Sequence, residues 1–437
     1  MAPDRSVSLA EASRFWWRLG WVSFGGPAGQ IALLHRELVE QRCWLSERRY
    51  LHALNFCLLL PGPEATQLAT YLGWLMHGWP GGLIAGGLFL APSVLVLTLL
   101  AWIYALWGQL PLLVALFATL KPAVLALVIV AAWRLGRRTL GTPLHGLLAI
   151  AAFMALTLFD LPYPLLVIAA ATAGALAGRW RPHWILPRAS VGQPAALSRA
   201  DASQPEPIHG DHTPTPPHAR FCRRRLALTL LAWGLALLLP LLALVWWGGW
   251  QGTLTQMASF FSRVALVSFG GAYAVLPYVA QGAVEQQGWL SASQMLDGLA
   301  LGESTPGPLI MVLAFVGFMG GWNTGAGALA ATAVTVWFTF LPSFAFILVG
   351  APLVEASRED RRFIAPLTAI TAALVGVIAS LAVFFAAPVI QPDGRLDGMA
   401  LLVLLAALLA LGRLRWGVMP LIGAAALIGV ARFLLGG

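Results

Sequence analysis

Charge is what this chain has least of. Asp, Glu, Lys and Arg make up 10% of its 437 residues, against 59% hydrophobic, a ratio that excludes an ordinary soluble globular domain. Lysine is nearly absent, since Lys121 is the only one. The 3 cysteines, Cys43, Cys57 and Cys222, show no CxxC spacing, so neither a zinc site nor a disulfide framework is indicated. No His-Glu-xx-His or Gly-x-Ser-x-Gly run occurs. An intramembrane enzyme working through two glutamates therefore stays a remote alternative, and no cofactor or metal is expected. Ten-residue segments of alternating polarity are missing, which excludes a membrane β-barrel. Asp4, Arg5 and Glu11 precede the first apolar run, unlike a cleaved signal peptide.

What is abundant is long apolar sequence. Residues 83–107 carry no charge, and stretches near 226–247, 326–350, 363–388 and 398–412 are as apolar. A helix of about 20 such residues crosses a hydrocarbon core, and helices satisfy their own backbone there. The chain reads as an all-α polytopic membrane protein. Its net charge of +9 is no nucleic-acid signature, because residues 179–225 hold eight arginines and three acids, an excess of five. Such a segment marks a cytoplasmic loop. Residues 181–219 also hold eight prolines and no apolar period, so a disordered linker is expected. His209, His212 and His218 lack partner carboxylates there and read poorly as metal ligands.

A block of 49 residues is used twice. Phe15, Arg18, Ser23-Phe24-Gly25-Gly26, Glu40-Gln41, Trp44-Leu45-Ser46 and Pro61-Gly62-Pro63 return as Phe260, Arg263, Ser268-Phe269-Gly270-Gly271, Glu285-Gln286, Trp289-Leu290-Ser291 and Pro306-Gly307-Pro308. The shift is 245 residues (269 minus 24), and 18 of 49 positions are identical without a gap. That period is too long for a solenoid and points to a duplicated half. The expected divisions are a first half at 1–178, a linker at 179–225, a connecting helix at 226–249 and a second half at 250–437. Ser8 and Ser46 read as helix N-caps and Trp44 as an interfacial anchor. Gly82-xxx-Gly86 and Gly321-xxx-Gly325 read as helix-packing spacings. The Gly-Gly and Pro-Gly-Pro runs predict broken half-helices near the bilayer midplane.

Charge sets the relative orientation of the halves. Arg134, Arg137 and Arg138 assign their turn to the cytoplasm, whereas the counterpart turn at 388–397 has no positive excess. The preceding turn reverses this: 107–111 is uncharged, and its partner holds Arg358, Arg361 and Arg362. Equivalent loops face opposite sides, and the extra helix supplies the odd crossing. An inverted-topology repeat with about 13 membrane segments is expected.

Ionisable groups at membrane depth mark a pathway by default. These are Arg18, Arg263, Lys121, Glu64 and Glu303. Arg18 and Arg263 either snorkel to a surface or face a shared cavity, where each meets an anion or pairs with Glu40 or Glu285. Glu64 and Glu303 either cap half-helices or carry protons. Half-helices beginning inside the bilayer aim unpaired N–H groups and a positive dipole end inward. With glycines that let the backbone approach, the centre becomes an anion site.

Phe24-Gly25-Gly26-Pro27-Ala28, Trp44-Leu45-Ser46-Glu47 and Leu60-Pro61-Gly62-Pro63 with Gln67 resemble the chromate ion transporter family in its long, two-half form. The resemblance covers about 11–178 and 250–435. It implies export of chromate across the cell inner membrane, with sulfate or another tetrahedral oxoanion as the alternative cargo. It carries substrate-site roles to Arg18, Phe24, Gly25, Gly26, Pro27, Pro61, Gly62, Pro63, Gln67, Arg263, Phe269, Gly270, Gly271, Pro306, Gly307 and Pro308. Lys121 joins them on charge alone. Glu64 stands where the family more usually has a hydroxyl residue, which suits proton coupling. The expected partners are the oxoanion and the lipid bilayer, without nucleic acid and with a homodimer allowed.

Overall fold

The computed structural model describes residues 7–24, 26–159, 161–180, 207–210, 213, 216–219, 222–269, 272–356 and 364–435. Among them are sixteen α-helices and no strand, apart from one isolated bridge between Leu45 and His209. Glu64–Trp107, Pro111–Thr139, Arg223–Gly248, Ala328–Pro352 and Ala365–Ile390 are long and apolar enough to cross a membrane. The molecule is a multi-pass membrane protein.

The first half runs α1 (Leu9–Val22), α2 (Gly26–His35), a π-turn (Arg36–Gln41), α3 (Glu47–Leu59), α4 (Glu64–Trp107), α5 (Pro111–Thr139), α6 (Pro143–Leu158) and α7 (Tyr163–Trp180). Ser8 and Ser46 cap α1 and α3 by accepting the amides of Glu11 and Arg49. Helix α4 is broken at His77 and Gly78, where Gly78 takes φ +66 just ahead of Pro80. After α8 (Arg223–Gly248) the second half repeats the plan. It runs α9 (Thr253–Val267), α10 (Ala272–Ala280), a π-turn (Gln281–Gln286), α11 (Ala292–Ser304) and a 3₁₀ turn (Leu309–Met311). Helices α12 (Val312–Asn323), α13 (Ala328–Ala356), α14 (Ile364–Ile390), α15 (Gly398–Gly412) and α16 (Val418–Leu434) follow.

The duplication extends to individual hydrogen bonds. Trp44 N donates to Leu38 O and Trp289 N to Ala283 O, both at 2.8 Å. The residue before each tryptophan is left-handed, Cys43 at φ +52 and Gly288 at φ +61. Both tryptophans are buried and meet the repeated phenylalanine edge-on, Phe15–Trp44 at 4.9 Å and Phe260–Trp289 at 5.5 Å. Trp44 is thus a core residue and no interfacial anchor. Its recurrence reflects packing of the π-turn onto the first helix of each half.

The halves also interlock. Helices α6 and α7 of the first half pack on α14 of the second, while α15 and α16 of the second pack on α5 of the first. Small residues bring these helices close. A Cβ at Gly376 of α14 would strike the Ala149 carbonyl of α6, and one at Gly429 of α16 would meet Thr119 Oγ1 of α5 at 2.6 Å. Gly82, Gly86 and Gly321 are likewise crowded by neighbouring helices, as their spacing suggested, whereas Gly325 faces open space. Helix α8 is largely exposed and touches α9 and α13. Arg223, Arg224 and Arg225 begin it, while the exposed Trp246, Trp247 and Trp250 mark its end, which fits an orientation with the arginines in the cytoplasm.

The described end of the linker is not free. Ile208 N and His209 N donate to Cys43 O and Trp44 O, and His209 O accepts Ser46 N. Arg49 donates to Thr213 O, and His218 Nε2 lies 2.9 Å from Trp74 O. Residues 181–206 and His212 fall outside the described residues. His209 is held neutral: burial first, then the nearby Arg49, His77 and His218, push its pKa from 6.5 down to about 4. A depressed histidine favours docking above pH 6.5 and loses that contribution as pH falls toward 4. The protection of the Ile208 and His209 amides against hydrogen exchange, relative to the intrinsic rate at each pH, should therefore fall as pH drops from 6.5 toward 4, and His209→Leu should remove that fall. Protection factors that do not change with pH in the parent chain contradict the docking.

Candidate functional site

Each half contributes one tight turn centred on a serine, Ser23 or Ser268, and one Pro-Gly-Pro break, and these pair across the halves. Gly62 N donates to Ser268 O at 2.7 Å, and Gly307 N donates to Ser23 O, also at 2.7 Å. The pairs are related by the 245-residue repeat (23 plus 245 is 268, and 62 plus 245 is 307). Ser23 and Ser268 follow the last turns of α1 and α9, and the prolines flanking each glycine cannot donate, so each glycine carries its loop's exchanged amide. Both glycines are buried at positive φ, +134 for Gly62 and +107 for Gly307, where side chains are strained.

Four helices begin beside these pairs: α2 at Gly26, α4 at Glu64, α10 at Ala272, and the turn leading into α12 at Leu309. Around them lie buried side-chain atoms without a hydrogen-bond partner: Ser23 Oγ, Gln30 Oε1, Thr66 Oγ1, Gln67 Oε1, Ser93 Oγ and Ser343 Oγ. Ser343 Oγ and Gln67 stand where a Cβ on Gly62 would go, and Ser93 stands where one on Gly307 would go. Gln67 Nε2 donates to Pro61 O at 2.7 Å, and Gln30 Nε2 to Ser23 O at 3.3 Å. Burying an unpartnered polar atom costs about 1–3 kcal/mol, so such a cluster needs a ligand, water or a second conformation to account for it.

The other expected site residues distribute unevenly. Pro61, Pro63, Pro306 and Pro308 belong to the paired loops, and Gln67 reaches the first of them from the start of α4. Phe24 and Phe269 adjoin the two accepting serines, with Phe24 exposed and Phe269 partly buried against the core. Gly26 begins α2 at φ +70 and Pro27 follows it, while Gly25, Gly270 and Gly271 lie outside the described residues. A cleft of about 810 Å³ opens beside Phe24 and Gly29, with His35, Glu40 and Tyr50 among its walls. Glu64 occupies the first turn of α4, the usual place for a stabilising carboxylate. Glu303 accepts a hydrogen bond from Tyr273 near the end of α11.

The arginines are not brought to this crossing. Helix α1 buries Ala12, Phe15, Trp16 and Leu19, and Arg18 lies on its exposed side with Trp17 and Trp21. Arg263 is equally exposed on α9, its Nε donating to Ser259 O in its own helix. Both lie opposite the buried stripe of their helices, so the expected shared cavity around them is not part of the crossing described above. Glu40 pairs with His35 (3.1 Å) rather than with Arg18. Lys121 is no free cation either, being ion-paired with Asp297 at 3.3 Å.

A family model described as "Chromate transporter" matches residues 10–175 and again 255–430. The chain belongs to the chromate transporter family. It is 28% identical to a probable chromate transport protein of Synechococcus elongatus over 86% of this chain and 84% of the relative. It is 27% identical to the chromate transport protein of Cupriavidus metallidurans over 87% and 83%. For the chromate transport protein of Pseudomonas aeruginosa the figures are 31% over 83% and 77%. No solved structure matches the chain. The double match falls on the two interlocked units, so this chromate transporter-family chain carries one family unit in each half.

Three residues at these sites escaped the sequence reading. Ser93 and Ser343 sit in recurring Pro-Ser pairs, Pro92-Ser93 and Pro342-Ser343, but their shift is 250 (343 minus 93). A net gain of five residues between Pro308 and Pro342, relative to Pro63 and Pro92 (34 against 29), puts them out of register with the rest of the repeat. Asp297 corresponds to His52 (297 minus 245), so the repeat does not flag it. The crossing makes a steric prediction. Gly62→Ala and Gly307→Ala should each destabilise the protein by about 1–3 kcal/mol, from strain and overpacking. Gly423→Ala, with nothing within 4 Å of its Cβ position, should be neutral. Indistinguishable detergent melts for the three variants contradict the geometry.

Proposed function

We propose that the protein is a secondary transporter exporting chromate across the cytoplasmic (inner) membrane and so conferring chromate resistance, with the crossing of the two Pro-Gly-Pro loops as its substrate site. The observation that carries this reading is the cluster of buried, unpartnered hydroxyls at that crossing, Ser23, Ser93, Ser343 and Thr66. A tetrahedral oxoanion offers four acceptor oxygens, which suits neutral O–H donors held in a dry site. Its charge also needs an answer, because desolvating an anion otherwise costs many kcal/mol. The N-termini of α2 and α10, at about half a positive charge each, supply part of that answer, while Glu64 already faces the N-terminus of α4. Membership in the family, whose named relatives transport chromate, supports the same cargo. Arg18 and Arg263 are assigned to the membrane surface on this reading, and Glu64 to the first turn of α4.

The reciprocal bonds also support an inverted repeat. A self-complementary contact, in which element i of one unit meets j of the other and the reverse, is the signature of two-fold symmetry. An axis in the membrane plane gives the opposed charge patterns of equivalent loops, with α8 as the added crossing. Rocking one interlocked unit against the other then exposes the crossing to either side in turn.

Proteoliposomes holding the purified chain should accumulate chromate down an imposed gradient, with sulfate competing. Ser93→Ala and Ser343→Ala should each weaken chromate binding about 10- to 100-fold, the equivalent of a hydrogen bond to a charged acceptor, without lowering the melting temperature. Unaltered affinity in both variants would remove the site from the crossing, and sulfate flux without chromate flux would change the cargo. Single cysteines at positions 141 and 396, in a chain without Cys43, Cys57 and Cys222, should label from opposite faces. Labelling from one face contradicts the inversion.

A further inference from the structure

A second polar cluster lies away from the crossing, where α4, α5 and α11 meet. Lys121 of α5 donates through Nζ to Ser293 Oγ of α11 at 2.6 Å and lies 3.3 Å from Asp297 Oδ1. Tyr104, near the end of α4, donates to Asp297 Oδ2 at 2.8 Å. The Asp297 side chain is 5% exposed and that of Lys121 is 21% exposed. The two carboxylate oxygens are unequal: Oδ2 has its donor, while Oδ1 meets the ammonium only as a charge and accepts no hydrogen bond. An open lone pair on a buried carboxylate is a place for a proton.

Little else titrates nearby. The helices packed on α11 are α4, α5, α12, α14 and α16, with the 3₁₀ turn at Leu309–Met311. That turn, α12 and α14 carry no ionisable side chain, and α16 carries only Arg432 in its last turn. On α4 the remaining groups, Glu64, Tyr71 and His77, lie beyond the break at Gly78. On α5, Arg134, Arg137 and Arg138 lie at least 13 residues further along (134 minus 121), or about 20 Å. Glu303 of α11 is engaged by Tyr273. Lys121 and Tyr104 therefore set the electrostatics of Asp297.

We propose that Asp297 is a proton-binding site coupled to oxoanion transport. Protonation at Oδ1 turns the carboxylate into a carboxylic acid and leaves the Lys121 ammonium uncompensated, so the pair changes from neutral to a single positive charge. Loss of the proton restores the ion pair. The change reaches the crossing through α11, which runs from Ser291 into Pro306-Gly307-Pro308. Its hold on α5 depends on whether Asp297 attracts Lys121. Pro122, next to Lys121, removes one helical hydrogen bond of α5 and lets that segment yield. The proposal rests on the transporter reading, and it places coupling at Asp297 rather than at Glu64 or Glu303.

The test is chromate flux in proteoliposomes at zero membrane potential, with and without an imposed pH gradient, read as the ratio of the two rates. The full chain should give a ratio several-fold away from one. Asp297→Asn should bring it to one, and Asp297→Glu should restore part of it. Ser343→Ala should lower both rates and keep the ratio. If Asp297→Asn fails to fold because it strands Lys121, Lys121→Met with Asp297→Asn removes both charges and carries the same expectation. A folded Asp297→Asn variant, or the folded double variant, with the parent ratio overturns the proposal. So does a parent ratio of one with chromate flux intact, and that result leaves the transporter reading standing. No oxoanion flux in the parent brings down the transporter reading and the coupling proposal together.

Discussion

Inside a hydrocarbon layer a peptide N–H has no water to turn to, and a broken helix leaves several such groups exposed. This chain breaks a helix in each half with Pro-Gly-Pro and pairs the remaining amide with the opposite half: Gly62 with Ser268, Gly307 with Ser23. Neither half can satisfy its own break in this way. The two pairings therefore hold the units in one register, and the other contacts between the halves follow from it. Helices α6 and α7 lie on α14 as α15 and α16 lie on α5, the same exchange repeated further from the centre.

The crossing is also where polar atoms are left without partners. Buried polar groups without partners are expensive, and six side-chain atoms remain unsatisfied beside the exchanged amides. A protein built only to be stable would replace Ser93 and Ser343 with alanine. Retaining hydroxyls there suits a ligand that comes and goes. By contrast the Lys121–Asp297–Tyr104 cluster is nearly satisfied internally, which suits a group that titrates rather than one that binds cargo. The two clusters share α4, which carries both Ser93 and Tyr104, and α11 leads from Asp297 to the Pro306-Gly307-Pro308 break.

Much of this was legible in the sequence, for identifiable reasons. Helix limits followed from capping serines, glycines and prolines: α3 and α11 begin after Ser46 and Ser291 and end before their Pro-Gly-Pro breaks. The repeat marked the residues that make the crossing. It could not say where a side chain points. Arg18 recurs as Arg263, yet the stripe of Ala12, Phe15, Trp16 and Leu19 turns it outward. Trp44 recurs as Trp289 because it packs on phenylalanine, not because it anchors at an interface. Ser93 and Ser343 were hidden by a five-residue change of register. Asp297 was hidden because its partners, Lys121 and Tyr104, are 176 and 193 residues away (297 minus 121, 297 minus 104). Long-range pairing of single residues leaves no local pattern to read.

The central claim is that the oxoanion sits where the two halves exchange amides. It is tested most directly by locating the anion itself, through the anomalous scattering of chromium in crystals of the protein soaked with chromate. The account places the chromium peak within hydrogen-bonding reach, through its oxygens, of the Ser93 and Ser343 hydroxyls. A peak instead at Arg18 and Arg263, or in the cleft lined by His35 and Glu40, would contradict it.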